Sequence, residues 1–251
     1  MTVSHLAKLA AWAFVRALGV GAITALGLVL PVHAQSLAVA PVNLEMAAGQ
    51  MTASITITNA GATQTAIQVR TFKWAQGSDG GEELTKSEEV VASPPISTIA
   101  PGASQLVRLV VRTPAQSQEA TYRIVIDQIP LAADAGTVRI ALRLLIPVFV
   151  EPALRVEASV RFHIERDDSG AALVAVNDGG RHETLRDLIL TTGAGDPIAL
   201  AAVASPHLLA GATQRWRILT SSSTPEVGGV VHLAGRATTG AIDQQIAVVA
   251  P

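Results

Sequence analysis

Apolar and polar residues alternate with a period of two along most of the chain, the pattern of strands with one buried face. Ala53, Ile55 and Ile57 alternate with Ser54, Thr56 and Thr58, and Asn59-Ala60-Gly61 ends the run. Residues 66–74 alternate again, whereas residues 76–87 are polar, acidic and glycine-rich and predict a solvated loop. Ser93-Pro94-Pro95 and Ala100-Pro101-Gly102 punctuate a short extended segment. Residues 104–112 then set Val107, Leu109 and Val111 on one face, with Arg108 and Arg112 on the other. Residues 120–128 set Tyr122, Ile124 and Ile126 against Arg123 and Asp127, and residues 138–150 form the longest apolar strand. Glu151-Pro152 interrupts the pattern, since proline removes a ladder donor. It restarts over 158–164, 172–177, 185–191, 215–219, 230–234 and 244–249, with a turn at Asn177-Asp178-Gly179-Gly180. No helix of ordinary length and no repeat is expected. The reading is all-β: two sandwiches, 35–150 and 151–251, held at a fixed angle by a very short linker, with a cleft between them.

The first residues break this pattern. Lys8 and Arg16 precede an uncharged apolar stretch, 17–30, and Val32 and Ala34 are small residues at the −3 and −1 positions of a cleavage site. Residues 1–34 therefore read as a cleaved secretory signal peptide. No later stretch approaches the ~20 apolar residues of a membrane helix, so no membrane insertion is expected. Cysteine is absent, which leaves stability to the core alone. The net charge of −2 argues against a general affinity for nucleic acid. Aromatics at 3% leave few platforms for stacking bases or sugars.

Two strands carry the functional argument. A short antiparallel hairpin centred near residue 133 would set Asp127 opposite Arg139, Ile126 opposite Ile140, Ile124 opposite Leu142 and Tyr122 opposite Leu144. The same register sets Arg123 across from Arg143. Like charges facing each other destabilise a strand pair unless an anion sits between them, and two guanidinium forks suit a carboxylate. Val138, Ile140, Leu142, Leu144 and Ile146 form one long apolar face. From Leu144 onward the other face is apolar too, through Leu145, Pro147 and Phe149. Such a segment is either an ordinary core strand or a strand that lends its side chains to another chain by strand addition.

Metal or catalytic chemistry has little support. His163 and Glu165 share a strand face, but a lone pair at that spacing reads as surface neighbours. Arg181-His182-Glu183 follows a turn and reads as an exposed loop. Asp167-Asp168-Ser169-Gly170 is a turn without the further acids of a calcium loop. HExxH, GxSxG and phosphate-binding glycine loops are missing, so no enzyme, cofactor or metal is expected.

Five segments resemble the periplasmic pilus chaperones of the PapD-like family. They are Leu37-Ala38-Val39-Ala40-Pro41-Val42; Ser93-Pro94-Pro95-Ile96 leading to Ile99-Ala100-Pro101-Gly102-Ala103-Ser104-Gln105-Leu106-Val107-Arg108; Tyr122-Arg123-Ile124-Val125-Ile126-Asp127-Gln128-Ile129-Pro130; Ile140-Ala141-Leu142-Arg143 leading to Ile146-Pro147-Val148-Phe149-Val150; and Leu208-Leu209-Ala210-Gly211 leading to Trp216. The flavour is closest to the archaic chaperone-usher branch. The resemblance implies two immunoglobulin-like domains set as an L or boomerang. It implies a donor strand, here Val138, Ile140, Leu142, Leu144 and Ile146, that completes an unfinished pilin. It also implies delivery to an outer-membrane usher, a periplasmic location and no cofactor; the free chain could cap its donor strand by dimerising. Better-known members anchor the pilin's C-terminal carboxylate with an arginine and a lysine, at positions that here hold Asn43 and Pro147. Arg123 and Arg143 are the expected replacements. Gln128 and Glu151 stand where those members carry an interdomain Glu and Arg. The competing expectation is a secreted two-sandwich adhesin or matrix-binding module.

Overall fold

The computed structural model describes residues 37–77, 80–129, 140–168, 170–219 and 225–251. The expected signal peptide, Val138 and Arg139 lie outside them. The first half holds ten strands among the described residues: β1 (Leu37–Ala40), β2 (Leu44–Met46), β3 (Thr52–Asn59), β4 (Thr65–Gln76), β5 (Glu82–Lys86), β6 (Val90–Ser93), β7 (Ile96–Ile99), β8 (Ser104–Val111), β9 (Ala120–Ile129) and β10 (Arg143–Val150). They form two sheets, β1-β3-β8-β6 and β2-β10-β9-β4-β5, with β7 beside β4. The alternation read from the sequence decides which side chains go inward. Ile55 and Ile57 of β3, Val107, Leu109 and Val111 of β8, and Tyr122, Ile124 and Ile126 of β9 meet in one core. Each fully buried aliphatic or aromatic side chain contributes about 1.5–3 kcal/mol.

One expectation fails in this half. Residues 76–87 are not all loop, because β4 runs to Gln76 and β5 pairs antiparallel with it from Phe72↔Lys86 to Gln76↔Glu82. Most of β5 stays exposed, so its polar side chains suit an outer strand as well as a loop.

The second half contains β11 (Val160–Asp167), β12 (Gly170–Asn177), β13 (Glu183–Thr184), β14 (Arg186–Thr191), β15 (Pro197–Ile198), β16 (His207–Leu208), β17 (Thr213–Arg217), β18 (Val230–Ala237) and β19 (Gly240–Val249). The order β15-β14-β18-β19-β11-β12-β17 and the small pair β13-β16 surround a second core that includes Ile164, Leu173, Leu190, Trp216, Leu233 and Ile246. Asn59 and Asn177 do the same work after β3 and β12. The buried Asn177 amide accepts from Ser159 and Gly179 N–H and donates to the carbonyls of Arg181 and Leu209. Asn59 accepts from Gly61 N–H and donates to the carbonyls of Thr63 and Ile99. A short side-chain amide thus satisfies buried backbone groups where each strand ends.

Candidate functional site

β10 pairs antiparallel with β9 from Arg143↔Asp127 to Val150↔Ala120, which turns Leu144, Ile146, Val148 and Val150 toward the first core. Along its other edge it pairs with β2, in parallel, only from Val148↔Leu44 to Val150↔Met46. Gln128 N–H donates to Leu142 O, and Glu151 N–H donates to Met46 O. Antiparallel ladders alternate the direction of backbone groups. Even-numbered residues of β10 therefore bond to β9, and odd-numbered ones point the other way. Arg143 and Leu145 thus aim their N–H groups at an edge along which no described strand runs, and Pro147 has no N–H. Exposure climbs along the apolar row: Ile146 is 5% exposed, Leu144 and Leu142 are half-buried, and Ile140 is 84% exposed. A row of core-type side chains runs out of its own core beside an open ladder edge.

The register corrects the expected arginine pair. Asp127 faces Arg143 instead of Arg139, and Arg123 faces Pro147 instead of Arg143. The connection from β9 to β10 is longer than a tight hairpin centred at 133, so the partner strand slides by four residues. An even slide keeps the apolar face inward and exchanges like-charge neighbours for opposite ones. Arg143 Nε donates to Asp127 Oδ1 at 2.5 Å, and Arg70 also pairs with Asp127. Burial opposes ionisation of Asp127, but hydrogen bonds and charge from Arg143 and Arg70 outweigh it and hold the carboxyl below its usual range. Arg123 is buried elsewhere. Its guanidinium lies 3.6 Å over the Trp74 ring and donates to Glu82 Oε1 at 2.5 Å and Ser205 Oγ at 3.3 Å. Burial pulls its pKa down, against the pull of Glu82. Arg123 and Arg143 do not converge on one anion.

The outer face of the same sheet holds the two cores together. Trp74 of β4 and Phe149 of β10 belong to the second core. Phe149 stacks on His182 with centroids 3.5 Å apart, and Trp74 meets His207 edge-on at 5.9 Å. The segment Arg181-His182-Glu183, expected as exposed loop, is instead part of this joint: His182 is 7% and Glu183 2% exposed. His182 takes Glu119 Oε2 with both its backbone N–H (3.0 Å) and its ring Nδ1 (2.7 Å). Glu183 accepts from Thr238 N–H and Thr239 Oγ1. Arg181 reaches Glu45 at 2.9 Å and Glu151 at 2.7 Å. Arg181 thus pairs across the joint with Glu45 and holds Glu151 at the linker, while Gln128 bonds to Thr65. His163 and Glu165 lie 3.1 Å apart, and Arg215 also takes Glu165, which makes the cluster an ion-pair network. Among the described residues no three His, Cys, Asp or Glu side chains gather as a metal site.

A cleft of about 810 Å³ opens between Leu145 and Pro147 on β10, Asn43 beside β2, and Arg186, His207 and Arg236 of the second half. Arg123 lines it too. Burial, then the positive charges of His182, Arg123 and Arg186, push His207 down to about 4. The sequence reading did not single out Arg186 or Arg236. Arg186 falls in the expected 185–191 strand, but Arg236 lies beyond the expected 230–234 strand, which runs on to Ala237, and their shared cleft depends on how the two halves pack.

No curated relative matches the chain in sequence. The solved CsuC–CsuE chaperone–tip adhesion subunit pre-assembly complex, from the archaic chaperone-usher Csu pili of Acinetobacter baumannii, matches with a TM-score of 0.63 at 17% identity, over 86% of this chain and 99% of that one. The YadV chaperone matches with a TM-score of 0.60 at 13% identity, over 84% and 98%. The Salmonella enterica SafA pilin–SafB chaperone complex matches with a TM-score of 0.56 at 14% identity, over 86% and 97%. These likenesses establish the fold, that of two-domain β-sandwich chaperones. Residues 36–155 match the family model described as the pili and flagellar-assembly chaperone, PapD N-terminal domain. The first sandwich belongs to that chaperone family.

Proposed function

We propose that the chain is a periplasmic chaperone that binds incomplete pilin subunits by strand addition along the open edge of β10 and delivers them to an outer-membrane usher. In this reading residues 1–34 are the export signal, residues 35–150 the strand-lending domain and residues 151–251 the second domain. Ile140, Leu142 and Leu144 enter the subunit's unfinished core; Val138, which the expected donor strand also includes, lies outside the described residues. The supporting observation is the combination of backbone donors on Arg143 and Leu145 that face no described strand with an apolar row that ends in the 84% exposed Ile140. Proteins normally avoid such an edge, because it templates aggregation. A subunit lacking a strand presents the complementary defect, and one added strand satisfies both. The comparison complexes named above pair a chaperone with a pilin or a tip adhesion subunit. An edge of this kind favours the chaperone over an adhesin that works through loops. The same edge would let two free copies cap each other.

The test is capture in the periplasm. The chain co-expressed with small β-sandwich subunits lacking a strand should purify with them in one-to-one complexes, and an added usher should take the complex up. Subunits that stay soluble and unbound in its presence would refute the reading.

A further inference from the structure

The joint has a second opening. A cavity of about 430 Å³ is lined by the end of β4, the start of β9, the segment 113–118 that leads into β9, and residues 209–212 of the second sandwich. It shares no lining residue with the larger cleft, and neither β2 nor β10 contributes to it. Two of its lining residues carry buried polar atoms that make no hydrogen bond among the described residues, Trp74 Nε1 and Glu119 Oε1. Trp74 is 1% and Glu119 4% exposed. Buried donors and acceptors in folded proteins are nearly all paired, so two such atoms in one cavity call for a reason. Neither side chain can turn to find a partner. Arg123 covers the Trp74 ring at 3.6 Å, and Phe149 packs on it with centroids 5.9 Å apart. Glu119 Oε2 holds both the N–H and the ring Nδ1 of His182. Arg181 Nε stays 4.0 Å from Oε1, beyond hydrogen-bond reach.

We propose that this cavity binds a short uncharged amide, a peptide group that accepts from Trp74 Nε1–H and donates to Glu119 Oε1. An indole N–H only donates and an ionised carboxylate only accepts, so the two atoms select opposite halves of one ligand. An anion would serve Trp74 but would meet the Glu119 and Glu89 carboxylates. An ammonium donates only and leaves the indole unserved. The other charges on the lining compensate each other, since Lys73 Nζ lies 3.3 Å from one Glu89 oxygen and Tyr122 Oη donates to the other at 2.8 Å. A neutral group with both a donor and an acceptor remains, and an amide carries both in one plane. The exposed Gln116 and Gln118 offer amides of the same kind at the lip, and Pro114, Ala115 and Leu209 supply apolar wall for the ligand's carbon atoms. The volume falls within the range of small-molecule sites and far exceeds the one or two waters, at ~30 Å³ each, that two polar atoms need. A ligand here touches both sandwiches, so its binding also stabilises the joint. The site is independent of the strand-lending reading.

The test titrates the chain with N-acetylalaninamide and follows the indole N–H signals by NMR, with Trp74→Phe assigning the Trp74 signal. A saturable shift at Trp74, larger than at Trp216, is expected, together with a rise in the urea midpoint. The same diamide with every nitrogen methylated accepts but cannot donate, and should bind about tenfold more weakly. Ala210→Phe, which fills the cavity from its half-buried rim, should weaken binding by a similar factor. Should that variant fail to fold, Gln118→Trp places the same bulk at an exposed position of the lip and should give the same loss. No saturable shift at Trp74 overturns the site and leaves its two polar atoms to water alone. Equal affinity for the methylated probe overturns it as well, because Glu119 then takes no part. Glycerol binding as tightly as the diamide overturns the amide assignment. The titration needs no pilin subunit, so its outcome and that of subunit capture are read separately.

Discussion

Ile140 and Ile146 lie on the same apolar row, but the first is 84% and the second 5% exposed. This contrast separates a strand that serves its own core from one that serves another chain. Burying an isoleucine is worth about 1.5–3 kcal/mol, and burying an unpaired amide costs about 1–3 kcal/mol more. If Ile140 enters a subunit's core, Ile140→Asn should weaken the complex by about 3 kcal/mol after partial relaxation, roughly a hundredfold in dissociation constant. In the free chain the same substitution changes an exposed side chain and should shift stability by no more than about 0.5 kcal/mol. Ile146→Asn should do the reverse, destabilising the free chain by about 3–5 kcal/mol. Urea denaturation of the free proteins and dissociation kinetics of the purified complexes read the two effects separately. An Ile140→Asn protein that binds the subunit as tightly as the wild type would refute the reasoning. So would one that unfolds as readily as Ile146→Asn, because the row would then belong wholly to the chain's own core.

Three further outcomes are expected. Gly179→Ala would set a Cβ 2.3 Å from Glu157 O and 2.5 Å from Ser159 N, both backbone, and should cost about 2 kcal/mol or more by urea denaturation; Gly193→Ala, with open space around it, should be near neutral. Glu119→Ala leaves His182 N–H and its buried ring without an acceptor, and should cost about 2–4 kcal/mol by the same measurement. His207 sits below its free value of 6.5, at about 4, chiefly through burial. The unfolded chain therefore binds a proton more readily, so the contribution is whole above pH 6.5 and is lost as pH falls from there toward 4. Solvent screening at this part-buried ring holds the difference between pH 7 and 5 to about 1–2 kcal/mol, and His207→Gln should flatten that part of the stability profile.

What the sequence revealed and what it hid follow from the physics of strands. The inward faces were legible because a period of two depends only on residue parity. Tyr122, Ile124, Ile126 and Ile146 therefore reach the core despite a register misread by four residues. Partner identity was hidden because it depends on the length of the connection from β9 to β10, which no local pattern specifies. Arg143 found Asp127 for that reason, and Arg123 found Trp74 and Glu82. Arg181-His182-Glu183 looked exposed because polar residues after a glycine turn usually are. Its burial comes from Glu119, Thr238 and Thr239, far away in the chain. A usable signal lay in the second apolar face of 145–149, since a strand apolar on both faces must be covered on both.

That two-sided strand also explains how an open edge can exist without fraying. The C-terminal part of β10 is held by β9 on one edge, by β2 on the other, by the first core beneath Val148 and Val150, and by the His182 stack over Phe149. Among the described residues its N-terminal part has β9 along one edge, the first core beneath Leu144 and Ile146, and the Arg143–Asp127–Arg70 ion pairs, but no strand along the other edge. An added strand therefore meets an edge whose direction and register are already set, and less of its binding free energy goes to ordering the chaperone side. The same anchoring ties the edge to the joint. Loosening Phe149 against His182 would move β10 and the cleft together, so a joint variant that stays folded should lose subunit affinity mainly through faster dissociation.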